Sequence, residues 1–214
     1  MSSILSSRTV HRLYLKLSKS IPEPRSELAY NSNFELLIAV ILSAQATDKI
    51  VNEVTPSLFR QNPDPQSFIN CGEKKITQLI KRIGLAPTKA KNIYRTCRIL
   101  IDKHNGKIPN SREELEQLPG VGRKTANVVL NEAFGEPTIA VDTHVYRVAN
   151  RTGLAIGKSV LEVERKLLKI TPNKWKKKAH HYLILHGRHV CKANSFKCST
   201  CSIKEECQYS QKLE

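Results

Sequence analysis

The chain has 214 residues, with 35 Lys plus Arg against 19 Asp plus Glu, a formal charge of +16, 40% hydrophobic residues and 6% aromatic ones. That cationic excess points to a polyanionic partner, nucleic acid first, and the length can bury a substantial core as one domain or two lobes. No apolar run approaches the ~20 residues that span a bilayer, which excludes a membrane-spanning role, and the few aromatics argue against a single-strand binder built on stacking platforms.

The first twenty residues are basic and Ser-rich, with Val10, Leu13, Tyr14 and Leu17 at helical spacing. They lack the apolar core of a secretory signal, and a short amphipathic helix docking on the body accounts for them better than an organelle transit peptide. From Asn33 onward, helix follows helix. Residues 34–45 are apolar nearly all round, the pattern of a central buried helix, with Gln45 at its exposed end. A second helix is predicted over 49–59, followed by the turn Asn62-Pro63-Asp64-Pro65. Residues 73–83 predict a helix closed by Gly84, and 89–104 a long one closed by Asn105-Gly106.

Ser111, with Glu114 three residues later, starts a capped helix that Pro119 ends. Ala126, Val129, Leu130 and Ala133 then mark a new helix from about Gly122. Between the two stands Leu-Pro-Gly-Val-Gly-Arg-Lys-Thr-Ala-Asn, residues 118–127. Such a glycine hairpin points helix N-terminal amides outward, where they suit a phosphate. An ordinary tight turn between helices is the alternative. Residues 138–141 are the nearest approach to a strand, and at four residues they are too short, so the predicted class is all-α. Asp142 occupies an N-cap position before a helix carrying Val145, Val148 and Ala149. Further helices are predicted over 159–170 and 175–190, the last opening on the basic run Lys174-Trp175-Lys176-Lys177-Lys178, either a solvated face or a phosphate contact.

Four of the six cysteines, Cys191, Cys198, Cys201 and Cys207, form the pattern C-x6-C-x2-C-x5-C, while Cys71 and Cys97 read as core thiols. Disulfides are disfavoured without an export signal. Zinc usually takes two Cys-x-x-Cys knuckles, and only one exists here. The compact loop therefore favours an iron–sulfur cluster over zinc. His180, His181, His186 and His189 precede it and read as packing or phosphate-facing groups.

Taken together, LPGVGRKTA, VDTH with its aspartate 18 residues after that lysine, and the cysteine pattern resemble endonuclease III of the helix-hairpin-helix DNA glycosylases. The likeness runs from FELLIAVILSAQATD through IGL and KA to the cysteine loop. It implies two helical lobes with a DNA-binding cleft between them. One is a six-helix barrel over 26–136 containing the hairpin at about 111–134. The other is discontinuous, 1–25 with 137–214, and carries a 4Fe–4S cluster on Cys191, Cys198, Cys201 and Cys207. The implied activity is removal of oxidised pyrimidines from double-stranded DNA, followed by β-elimination at the abasic site. The expected protein is a monomer of the bacterial cytoplasm, associated with the nucleoid and with no membrane partner.

The resemblance also assigns roles. Lys124 matches the nucleophile that attacks the sugar, a role that requires a neutral amine. Without it, a lysine in so basic a chain reads as a solvated charge. Asp142 matches the aspartate that assists deprotonation and stabilises developing positive charge. The nucleotide must leave the stack, and Gln45 resembles the side chain that fills its place, Leu85 the wedge on the opposite strand. Ala86-Pro87 departs from the family's common sequence after that leucine, which leaves the loop shape open. Gly120, Val121, Gly122, Arg123 and His144 are implied DNA contacts, as are Lys192 and Lys197 on the cysteine loop.

Overall fold

The computed structural model describes residues 5–209, and among these there are eleven helices and no strand. The chain divides into two compact units, Ser26–Phe134 and a discontinuous one made of Met1–Arg25 with Gly135–Glu214.

The continuous unit is built on α2 (Asn33–Ser43), in which every residue from Leu36 to Leu42 is buried. A helix apolar on all sides must be surrounded, and α3 (Asp48–Gln61), α6 (Ala86–His104) and α8 (Arg123–Phe134) all pack on it. The short helices α4 (Pro65–Cys71) and α5 (Glu73–Leu79) pack on α6, and α7 (Arg112–Glu116) on α8. Phe34 meets Phe68 edge to face at 5.6 Å between ring centres.

Three boundaries differ from the sequence expectation. The segment 65–71, of which only Pro65 belongs to the expected turn, is a helix: Asp64 accepts from the Ser67 amide, the Ser67 hydroxyl bonds back to the cap, and Pro65 fills the first turn, where its missing N–H loses nothing. The helix predicted over 73–83 stops at Leu79. There the chain tightens, with Ile83 N–H donating to the Ile80 carbonyl at 2.8 Å, so that both isoleucines reach the core. The long helix begins at Ala86 rather than Lys89, with Pro87 in its first turn and Leu85 as a left-handed cap.

The discontinuous unit holds α1 (Ser7–Ser20), α9 (Thr143–Thr152), α10 (Val160–Ile170), α11 (Asn173–His189) and the cysteine loop. Helix α11 packs on both α9 and α1, and α10 on α9. Val10, Leu13, Tyr14 and Leu17 bury the face of α1, and Tyr14 stacks on Trp175 at 6.3 Å between ring centres. Residues 138–141 form a buried extended segment without strand partners, and His180 Nδ1 donates to the Ala140 carbonyl at 2.7 Å. Helix α1 also reaches the cysteine loop, where Arg12 and Lys16 approach the buried Glu206 carboxylate at 3.6 and 3.0 Å.

Candidate active site and cysteine loop

In the continuous unit the hairpin joins α7 to α8. Ser111 caps α7 by accepting from the Glu114 amide at 3.3 Å, and its hydroxyl donates to the Glu114 carboxylate at 2.7 Å. The Leu115 and Leu118 side chains are buried, which pins the turn to the core. Gly120 has φ +82°, a left-handed conformation, and Val121 N–H donates to the Leu118 carbonyl at 3.0 Å. Val121 therefore serves the turn rather than a ligand, with its amide engaged and its side chain buried. The amides of Gly120 and Gly122 have no backbone partner among the described residues, and both glycines are exposed. Helix α8 then starts with Ala126 N–H donating to the Gly122 carbonyl at 2.9 Å.

Arg123 and Lys124 are both exposed on the first turn of α8. Lys124 makes no hydrogen bond or ion pair among the described residues. On the same unit the structure brings Gln45 and Leu85 together. Both are exposed at positive φ, +55° and +62°, and a Cβ placed on Gly84 would stand 4.0 Å from the Gln45 carbonyl oxygen.

In the discontinuous unit Asp142 caps α9, with one carboxylate oxygen accepting from Val145 N–H at 2.8 Å. Its other oxygen makes no hydrogen bond among the described residues. His144 is half-buried beside Arg147, whose Nη2 lies 3.1 Å from His144 Nδ1 and donates to the Gly187 carbonyl at 2.8 Å. Because guanidinium only donates, Nδ1 is the acceptor and Nε2 carries the proton of the neutral ring.

Cys191, Cys198, Cys201 and Cys207 line one cavity with about 310 Å³ of empty space, part of it open to solvent. Its other walls include Val190, Phe196, Ile203 and Tyr209, and none is a carboxylate. Among the described residues no group of three or more His, Cys, Asp or Glu is gathered so as to hold a metal ion. N–H donors face two of the sulfurs, Arg151 Nη1 at 3.6 Å from Cys191 Sγ and Tyr209 N–H at 3.4 Å from Cys207 Sγ, and His186 Nε2 lies 3.7 Å from Cys201 Sγ. Burial holds the His186 imidazole neutral, with its pKa lowered to about 4. Lys192 and Lys197 are exposed on the same loop.

Sequence reasoning missed the residues that hold this loop. Arg147 donates to the Cys191 carbonyl, and Arg151 donates to the carbonyls of Lys192 and Ala193 at 2.7 and 2.9 Å. Arg151 also lies over the Phe196 and Tyr209 rings, at 5.1 and 4.8 Å from their centres. The four-residue spacing of the two arginines on one helix face was the available signal. Of the isolated cysteines, Cys97 is fully buried, with its thiol pKa pushed up to about 12 by burial, and Cys71 is only partly buried.

Residues 38–173 match the family model described as HhH-GPD superfamily base excision DNA repair protein. The endonuclease III of Haemophilus influenzae is 57% identical over 199 residues, covering 93% of this chain and 94% of the relative. That of Escherichia coli K12 is 53% identical over 199 residues, again covering 93% and 94%. Among solved structures, a trapped covalent intermediate of an endonuclease III with DNA superposes with a TM-score of 0.91 at 45% identity, covering 98% of this chain and 99% of that one. The chain therefore belongs to the endonuclease III family, within the HhH-GPD superfamily of base excision DNA repair proteins, and is an enzyme.

Proposed function

We propose that the protein removes oxidised pyrimidines from double-stranded DNA and cleaves the resulting abasic site through a Schiff base on Lys124. The observation that carries this reading is an exposed, unpartnered lysine on the first turn of a helix directly after a glycine hairpin, in a chain 57% identical to an endonuclease III. A structurally similar endonuclease III has been trapped in covalent linkage to DNA, which is the species such a lysine forms.

The neutral Lys124 amine attacks C1′, forming an N–C1′ bond as the glycosidic bond breaks and the base leaves with its electron pair, taking up a proton. Asp142 assists deprotonation and offsets positive charge on the opening sugar. Its free oxygen can do so while the other caps α9. Cleavage of the C1′–O4′ bond, with O4′ taking up a proton, opens the sugar to an imine, and loss of a 2′ proton then expels the 3′ phosphate. The Gly120 and Gly122 amides and Arg123 bind a phosphate beside the lesion, with Val121 holding the turn that presents them. Gln45 and Leu85 enter the opened duplex. His144, as a neutral Nε2–H donor, and Lys192 and Lys197 contact further phosphates.

Cys191, Cys198, Cys201 and Cys207 are the proposed ligands of a 4Fe–4S cluster. Four thiols around a shared space, walled by apolar groups and met by N–H donors, suit a polynuclear cluster better than a single zinc ion. Such a cluster cross-links the loop and so orders Lys192 and Lys197. Among the described residues no helix is long and apolar enough to cross a membrane. A monomer acting on cytoplasmic, nucleoid-associated DNA completes the proposal.

Borohydride reduction during reaction with a duplex containing an oxidised pyrimidine tests it. The wild-type protein is expected to form a covalent adduct and the Lys124→Ala variant none. An adduct that survives Lys124→Ala, or none from wild type, refutes the assignment.

A further inference from the structure

Gln45 and Leu85 are held in a conformation that side-chain-bearing residues rarely adopt, and both are exposed, Leu85 by 57%. Neither side chain is buried against anything that explains the strain, so the surrounding backbone must impose it. Gln45 follows the C-terminal end of α2, and Leu85 caps the N-terminal end of α6. What joins these two ends is Lys89.

Lys89 is only 4% exposed and has no acidic partner among the described residues. Its backbone N–H donates to the Leu85 carbonyl at 3.0 Å, and its Nζ donates to the Leu42 carbonyl at 2.8 Å. The Leu42 carbonyl is one of the terminal carbonyls that a helix leaves without an amide, because Ala44 N–H turns to Ile41 and Ala46 N–H to Ser43. A lysine amine is suited to that place by the negative end of the helix dipole. Burial lowers the Lys89 pKa, so the residue is kept there against a desolvation penalty that a methionine of similar length would not meet.

We infer that Lys89 is a positioning residue, which by capping the Leu42 carbonyl while its own amide holds Leu85 fixes Gln45 and Leu85 in the mutual register needed to enter one opened duplex. The inference rests on the proposed role of these two side chains inside the duplex. It predicts a defect confined to substrates with a partner strand to displace.

The test uses Lys89→Met in the full-length protein with its cluster. One substrate is a duplex with 2-aminopurine opposite an oxidised pyrimidine, whose fluorescence reports opening. The other is an abasic site in a single-stranded oligonucleotide, which needs no opening. Lys89→Met is expected to slow opening and single-turnover base removal in the duplex by about ten-fold or more, the scale on which small misplacements act, and to leave single-strand cleavage unchanged. Equal loss on both substrates, or loss on neither, overturns the inference. A double variant, Gln45→Ala with Leu85→Ala, separates the two readings. If it opens the duplex normally, the wedge assignment fails. If it loses opening while Lys89→Met retains it, only the role of Lys89 fails. Should Lys89→Met not fold, Lys89→Leu, which likewise lacks a donor, enters the same assays with the same criteria.

Discussion

Gly120 and Gly122 are two residues apart in one hairpin, yet alanine should act on them through opposite mechanisms. At Gly120 the backbone is left-handed, φ +82°, a conformation that disfavours an L side chain by about 1–2 kcal/mol. The added Cβ would also stand 3.0 Å from Asn92 Nδ2 and 3.3 Å from Asn92 Cβ, and the second contact yields only if α6 or the turn shifts by a few tenths of an ångström. Together these predict a loss of about 2–3 kcal/mol for Gly120→Ala. Gly122 has no positive φ and nothing within 4 Å of the position an alanine methyl would take, so Gly122→Ala should leave stability within about 0.5 kcal/mol. On the proposed phosphate contact, its methyl instead crowds the Gly122 amide, and affinity for an abasic-analogue duplex should fall by about ten-fold, the effect of losing one hydrogen bond to a charged group. Urea unfolding measures the first effect and low-salt fluorescence anisotropy the second. A Gly120→Ala protein as stable as wild type, or a Gly122→Ala protein binding DNA normally, would refute this division of roles within the hairpin.

Where α9 crosses α11, a Cβ on Gly187 would meet His144 Cβ at 3.0 Å and the His144 carbonyl oxygen at 3.2 Å. Gly187→Ala should therefore lower stability by about 1–3 kcal/mol in a denaturant titration and weaken DNA binding through His144. Tyr14 is fully buried against Trp175 and Thr171, and burial raises its phenol pKa well above the ordinary value despite the opposing Thr171 hydrogen bond. Above about pH 10 the unfolded chain ionises this tyrosine and the folded one does not, so its own contribution to stability is complete below that pH and is lost at up to about 1.4 kcal/mol per pH unit above it. Tyr14→Phe should flatten that slope, as followed by circular dichroism between pH 9 and 11. Replacing Cys198 with Ala should reduce iron per protein in elemental analysis and loosen the loop carrying Lys192 and Lys197, with a shallower salt dependence of DNA binding.

The all-helical class was legible because apolar residues recur at helical spacing along most of the chain, and the hairpin and cysteine pattern were legible because both are contiguous. Local chemistry was misjudged where two signals competed. The prolines around Asp64 read as a turn although Asp64, Pro65 and Ser67 together start α4. Helix α6 starts at Ala86, ahead of the expected Lys89, with Pro87 in a first turn that suits proline.

By itself the sequence determined which residues are chemically equipped: a lysine after a glycine turn, an aspartate at a helix cap, and four thiols in one short loop. Only tertiary structure decided what holds them. Lys89 reaching the Leu42 carbonyl joins residues 47 positions apart, and Arg147 and Arg151 reach carbonyls of the cysteine loop 40 or more positions away. A donor's worth lies in the carbonyl it meets, and no periodicity in the chain specifies a partner that only folding brings within 3 Å.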